Sequence, residues 1–231
     1  MQPLTPLIGP IWTICANFLR DEMGAAFRAA IFSPDWTPAK TIWHMGFLTL
    51  ADLRSSDIGA FQWGCRRGML PFVQWLWRLG MTIDDVRRDD CYALRWACLN
   101  NELPLVRWLC TLGVTANDAR AQNNIILRES CIQGNLQIAQ LIWGLGLNIN
   151  DARTRKNLAF VESCCRGHID VAQWLWGLGL TAEDILCRNG RALIGALNAH
   201  HIKIADWLEE FNIFPYYVWH VSGKFYYPSP V

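Results

Sequence analysis

Apolar residues fall along this chain in a helical rhythm that stops, restarts and then repeats every 33 residues. In the stretch from Cys91 to Asn123, Leu94, Ala97 and Cys98 stand at helical spacing, and their small members let a neighbouring helix approach closely. This predicts a first helix, A. Asn100-Asn101 ends it, as do Gly68, Gly134 and Gly167 at or next to the equivalent position, where a residue tolerant of positive φ suits a helix C-terminus. Leu105, Val106, Trp108, Leu109 and Leu112 then line one face of a second helix, B, over 103–112, and Gly113 stops it. Gly80, Gly113, Gly146 and Gly179 recur at steps of 33, as do Trp75, Trp108, Leu141, Trp174 and Trp207, and Cys65, Cys98, Cys131 and Cys164. A fourth column, Thr49, Thr82, Thr115, Asn148 and Thr181, is followed three residues on by Asp52, Asp85, Asp118, Asp151 and Asp184.

Between units, Thr-x-x-Asp opens a short capped helix: the hydroxyl serves the amide three residues on, and the Asp sits at the positive helix end. Short helical turns are predicted at 83–87, 116–120, 149–153 and 182–186, with no long strand. Asp89-Asp90, Asn123-Asn124, Asn157 and Asn189-Gly190 supply turn residues before the next helix A. At the ends, a capping helix is predicted around Ile11 to Glu22 and a polar last helix over Arg191 to Phe211. Beyond it, Tyr216 to Val221 and Lys224 to Tyr227 flank Ser222-Gly223, which suits a small β-hairpin.

Composition narrows the class. Apolar residues reach 52% and charged ones only 18%, against roughly 25% in ordinary soluble proteins, so the chain has material for a core. A net charge of +1 lacks the electrostatic footprint of a nucleic-acid binder. The nine cysteines have no paired secretory spacing and four are repeat-core positions, which favours a reducing compartment and hence the cytoplasm. The uncharged first nineteen residues are broken by Pro3, Pro6 and Pro10, so neither a signal peptide nor a membrane span is expected there.

The runs Ala97-Cys98-Leu99-Asn100-Asn101, Val106-Arg107-Trp108-Leu109, Leu112-Gly113 and Cys165-Arg166-Gly167-His168-Ile169-Asp170-Val171-Ala172 resemble the ankyrin repeat, in its Ala-Ala-x-x-Gly-His, Val-Val-x-x-Leu-Leu and Gly-Ala columns. The resemblance covers about 59–212, with a degenerate copy from Phe27 to Asp57, and is similar to the Trp- and Leu-rich variant of giant DNA viruses of amoebae. It implies an all-α, ankyrin-type helical repeat solenoid with atypical capping ends: 1–58 as cap and degenerate repeat, 59–212 as repeats, 213–231 as a Tyr- and Trp-rich tail. The family's Thr-Pro-Leu-His appears as Tyr92-Ala93-Leu94-Arg95, Ile125-Ile126-Leu127-Arg128 and Leu158-Ala159-Phe160-Val161. Its helix-starting proline and bridging histidine are therefore absent, and helical turns replace the usual hairpin fingers.

Candidate chemistry is sparse. Cys164-Cys165-x-x-His168, with Cys131 one repeat away, is the best metal or Cys/His-nucleophile candidate, but Cys164 and His168 both occupy repeat columns. Gly144-Leu145-Gly146 and Gly177-Leu178-Gly179 follow helices, unlike a phosphate-cradling loop. Arg54, Arg87, Arg120 and Arg153 form a ladder that either faces the Asp column or grips an acidic partner.

Positions that vary between units are free to carry specificity. On helix A these include Trp63, Arg66, Trp96, Leu99, Asn100, Glu129, Ile132, Gln133, Glu162 and Arg166, which the resemblance places on a concave partner-binding face. A second candidate is an exposed tryptophan patch from Trp77, Trp143 and Trp176, in the column of Cys110. The expectation is a non-enzymatic adaptor for an unidentified protein, without cofactor, metal, nucleic acid or membrane, in the cytoplasm, or the host cytoplasm if viral. The alternatives are a self-associating homo-oligomer or virion component, and a Cys/His-dependent enzyme or metal protein.

Overall fold

The computed structural model describes residues 21–31, 33, 35–46, 48–54 and 59–211, which are helical and carry no strand. The Tyr-rich hairpin and most of the Ile11–Glu22 cap lie outside these residues. None of the described helices is long and apolar enough to cross a membrane. The chain forms two compact units, residues 1–86 and 87–231.

In the first unit the helices are α1 (residues 21–31), α2 (Thr37–His44), α3 (Leu50–Arg54), α4 (Ala60–Arg66) and α5 (Leu70–Arg78). Its core holds Phe27, Ile31, Ala39, Leu53, Phe61, Cys65, Phe72, Val73 and Leu76, the apolar side of each amphipathic stretch. Trp36 packs edge-on to Phe72 at 5.2 Å and beside Trp75 at 5.5 Å. α6 (Ile83–Leu99) crosses into the second unit as two helical stretches parted by non-helical Arg88–Cys91.

The second unit continues with α7 (Leu103–Thr111), α8 (Ala116–Ala119), α9 (Ala121–Ile132), α10 (Leu136–Trp143), α11 (Ile149–Ala152), α12 (Thr154–Cys165), α13 (Ile169–Gly177), α14 (Ala182–Asn198) and α15 (Ile202–Glu209). The expected order of a short capped turn, helix A and helix B recurs. α9 and α14 pack on either side of α12, and α10, α13 and α15 pack against α9, α12 and α14 respectively. Thr115, Asn148 and Thr181 begin capping boxes in which Asp118, Asp151 and Asp184 accept from the cap residue's own amide at 2.8 Å. Gly80, Gly113, Gly146 and Gly179 follow helices B at φ of +112°, +99°, +103° and +105°, a conformation that a Cβ would penalise.

Two features depart from the sequence reading. The helix expected over Arg191 to Phe211 is broken at Ala199–His201, because His200 adopts φ +60° in the helix-stop column of Asn101, Gly134 and Gly167. A polar surface had disguised that stop. The turns before each helix A are also more than local bends. Asp89–Cys91, Gln122–Asn124, Arg155–Asn157 and Arg188–Gly190 are each three successive left-handed residues, at a cost of about 1 kcal/mol per residue with a Cβ. Hydrogen bonds hold two of them: Asn124 Nδ2 donates to Asp151 Oδ1 at 3.1 Å, and Asn157 Nδ2 donates to Asp184 Oδ1 at 2.9 Å.

Candidate partner-binding surface

The Asp and Arg columns meet. Arg54 pairs with Asp85 at 2.7 Å in the first unit, and in the second Arg87, Arg120 and Arg153 pair with Asp118, Asp151 and Asp184 at 2.9, 3.0 and 2.8 Å. Each guanidinium reaches both carboxylate oxygens and also donates through Nη2 to the carbonyl of Gly80, Gly113, Gly146 or Gly179 at 3.2–3.4 Å. One Arg thus joins a helix-capping Asp to the carbonyl left open where helix B ends. Burial by itself would raise these carboxyls, but hydrogen bonds from the Arg, from the cap amide and, at Asp184, from Asn157 hold them below the ordinary range, Asp184 at about 2. The ladder is internal structure; its forks are already filled by Asp.

The cysteine column is equally committed. Cys98, Cys131 and Cys164 are buried, and burial pushes each thiol far up, as it does Cys65 in the first unit. Half-buried Cys110 rises to about 11, and Cys165 is raised by burial and by Glu162. A nucleophilic thiol needs the opposite shift. Burial lowers the pKa of His168. Among the described residues no group of three or more Cys, His, Asp or Glu is placed to hold a metal ion. Gly144–Gly146 and Gly177–Gly179 terminate α10 and α13.

The helix A residues proposed from sequence divide by burial. Asn100, Gln133 and Arg166 are exposed in the last turns of α6, α9 and α12 or just beyond, while Trp96, Leu99, Glu129 and Glu162 are half-buried in the same region. Ile132 is 6% exposed and belongs to the core. In the first unit Arg66 is exposed, but Trp63 is 8% exposed, edge-on to Phe72 at 6.2 Å, with Arg67 over its ring at 6.0 Å. Trp63 and Ile132 are therefore packing residues rather than anchors, because a large apolar side chain beside an adjoining helix gains more from burial than from solvent. Neighbouring helices are tied across this face where Arg191 on α14 meets Glu162 on α12 at 3.4 Å. Tyr92 lies 5.8 Å from Trp96, and Arg95 covers the Tyr92 ring at 5.4 Å.

The tryptophan patch is absent as an exposed surface. Trp77, Trp143 and Trp176 are half-buried, with Trp77 6.4 Å from Phe61, Trp143 edge-on to Trp174 at 6.0 Å and Trp176 4.5 Å from Phe211. Among the described residues the exposed large apolar side chains are Met45 and Ile202.

Sequence reasoning passed over two features of the second unit. The first is Arg128, 4% exposed, whose Nη1 donates to the Gln122 and Asn123 carbonyls while its buried Nε makes no hydrogen bond. Its signal was a charged residue in the otherwise apolar run Ile125-Ile126-Leu127-Arg128. The second is the row of turn tips, Asp89-Asp90, Gln122-Asn123, Arg155-Lys156 and Arg188-Asn189, all exposed. These were read as punctuation rather than as a surface. Comparison with protein-family models gives no match, and comparison with curated proteins gives none.

Proposed function

We propose that this chain is an ankyrin-type helical repeat solenoid acting as a non-enzymatic binding module that recruits another protein in the cytoplasm. One observation carries the reading: the polar groups that recur every 33 residues hold the repeat together, whereas exposed helix A positions vary from unit to unit. Asp118, Asp151 and Asp184 are occupied by Arg87, Arg120 and Arg153, while Asn100, Gln133 and Arg166 present different chemistry at equivalent places. Specificity in a repeat architecture resides in such variable positions. The described cysteines are free thiols, in keeping with a reducing compartment. Fold-level analogy supplies the step from repeat to recruiter.

Affinity capture from a cytosolic lysate with quantitative mass spectrometry tests this, using the wild type and a folded Trp96→Ala, Leu99→Ala variant. A specific protein retained by the wild type and lost by the variant is the expected result. Recovery of the chain alone would replace recruitment by self-association.

A further inference from the structure

The four left-handed turns recur at one position of the repeat, and their exposed residues change sign along the second unit: Asp89 and Asp90, then Gln122 and Asn123, then Arg155 and Lys156, then Arg188. At the acidic end the charges are partly answered, Asp89 by Arg88 at 3.7 Å and Asp90 by the Gln122 amide at 2.9 Å. At the basic end they are not. Arg155 and Lys156 make no ion pair among the described residues, and Asp151, Asp184 and Glu162 are engaged by Arg120, Arg153 and Arg191. Arg188 donates to the carbonyls of Arg155 at 2.7 Å and Lys156 at 3.2 Å, which brings the third and fourth turns together.

Arg128 adds an independent sign of a missing anion. Its buried guanidinium is tied to the second turn through Nη1, has an orphaned Nε, and pairs with no carboxylate among the described residues. Burial, then the positive charge of Arg155, lowers its pKa, with Glu129 opposing. A buried cation without a counterion is costly, and a carboxylate held on exposed Arg155, whose positive charge acts on Arg128, would offset part of that cost.

We propose that this row of turn tips docks an extended acidic segment of a partner protein, its carboxylates meeting Arg155, Lys156 and Arg188 and its less acidic end lying toward Asp89 and Asp90. The inference rests on the binding-module reading and names the partner's chemistry. Packed helices are about 10 Å apart and an extended chain advances about 3.3 Å per residue, so an acidic residue at every third position meets successive turns. Arg155 offers a carboxylate a bidentate fork, while Lys156 and Arg188, whose Nε and Nη2 already serve carbonyls, add positive charge beside it. A uniformly charged polyanion fits less well, because its far end would meet Asp89 and Asp90.

Fluorescence anisotropy with the full chain tests this against three labelled probes: a Ser/Ala peptide with Glu at every third position of one half only, a peptide of the same composition with its Glu spread evenly along the whole length, and a single-stranded RNA of equal charge. The half-acidic peptide should bind most tightly, weaken as salt rises, and lose on the order of tenfold in affinity in an Arg155→Gln, Lys156→Gln variant of unchanged circular dichroism. Absence of peptide binding, equal binding by the variant, or tighter binding of the RNA overturns the proposal. Lysate capture with the same variant separates the two levels: a partner kept by it but lost by Trp96→Ala, Leu99→Ala sinks this site and leaves the module standing. A wild type that captures no partner sinks the module reading.

Discussion

At Arg120 a single side chain does three things: it forks onto Asp151, donates to the Gly146 carbonyl, and thereby ties a helix start to a helix end. A lysine offers one point charge and cannot reproduce that fork. Arg120→Lys is therefore expected to lower Tm nearly as much as Arg120→Ala, whereas a simple surface attraction would be rescued by lysine; thermal unfolding followed by circular dichroism distinguishes them. The cysteine column makes a second residue-level prediction. Cys98, Cys131 and Cys164 are buried, with thiols raised by burial, so native alkylation at mildly alkaline pH should label Cys165 and Cys187 and spare these three. Rapid native labelling of Cys164 would contradict the packing described.

At the element scale, the left-handed turns set backbone strain against side-chain anchoring. Asn157 is 4% exposed, has φ +57° and donates to Asp184, so Asn157→Ala should cost about 2 kcal/mol, as loss of a buried hydrogen bond in a strained site does. Lys156 is exposed at φ +56°, and Lys156→Gly should be neutral or stabilising by about 0.5 kcal/mol, since relief of the left-handed cost exceeds glycine's entropy loss; chemical denaturation measures both. Helix limits and capped turns were legible because period, Thr-x-x-Asp and Gly are local signals. The turns' handedness was not: Arg155 and Lys156 have no intrinsic preference for positive φ, and their conformation follows from chain reversal and the neighbouring anchor at Asn157. The break at His200 was hidden instead by the polar residues around it, which read as one continuous exposed helix face. Trp63 and Ile132 were misplaced because helical spacing assigns a face, while the fit of a neighbouring element decides which edge of that face is covered.

Across the molecule, the carboxylates of the ladder couple stability to pH. Asp85, Asp118, Asp151 and Asp184 hold their protons less tightly than ordinary aspartates, Asp184 with a value of about 2. A depressed folded-state pKa stabilises at pH above the unfolded value of about 4, and that contribution is lost as pH falls towards the folded value. The ladder's contribution should stay level from neutral pH down to about 5 and fall steeply between about 4 and 2, on top of a small loss below about 6.5 from His168, whose folded pKa burial lowers; an Asp184→Asn variant, already destabilised at neutral pH, should show a shallower fall. The central claim is a division of labour in which recurring polar groups hold the repeat and varying exposed groups bind. The direct measurement is the affinity of the captured partner for two variants, Arg120→Ala, Arg153→Ala in the ladder and the exposed pair Gln133→Ala, Arg166→Ala on helix A, each with its Tm. The account predicts a crossed pattern: the ladder variant loses Tm and keeps its affinity below the transition, and the helix A variant loses affinity with the smaller change in Tm. A ladder variant that loses the partner while its Tm is unchanged would contradict it.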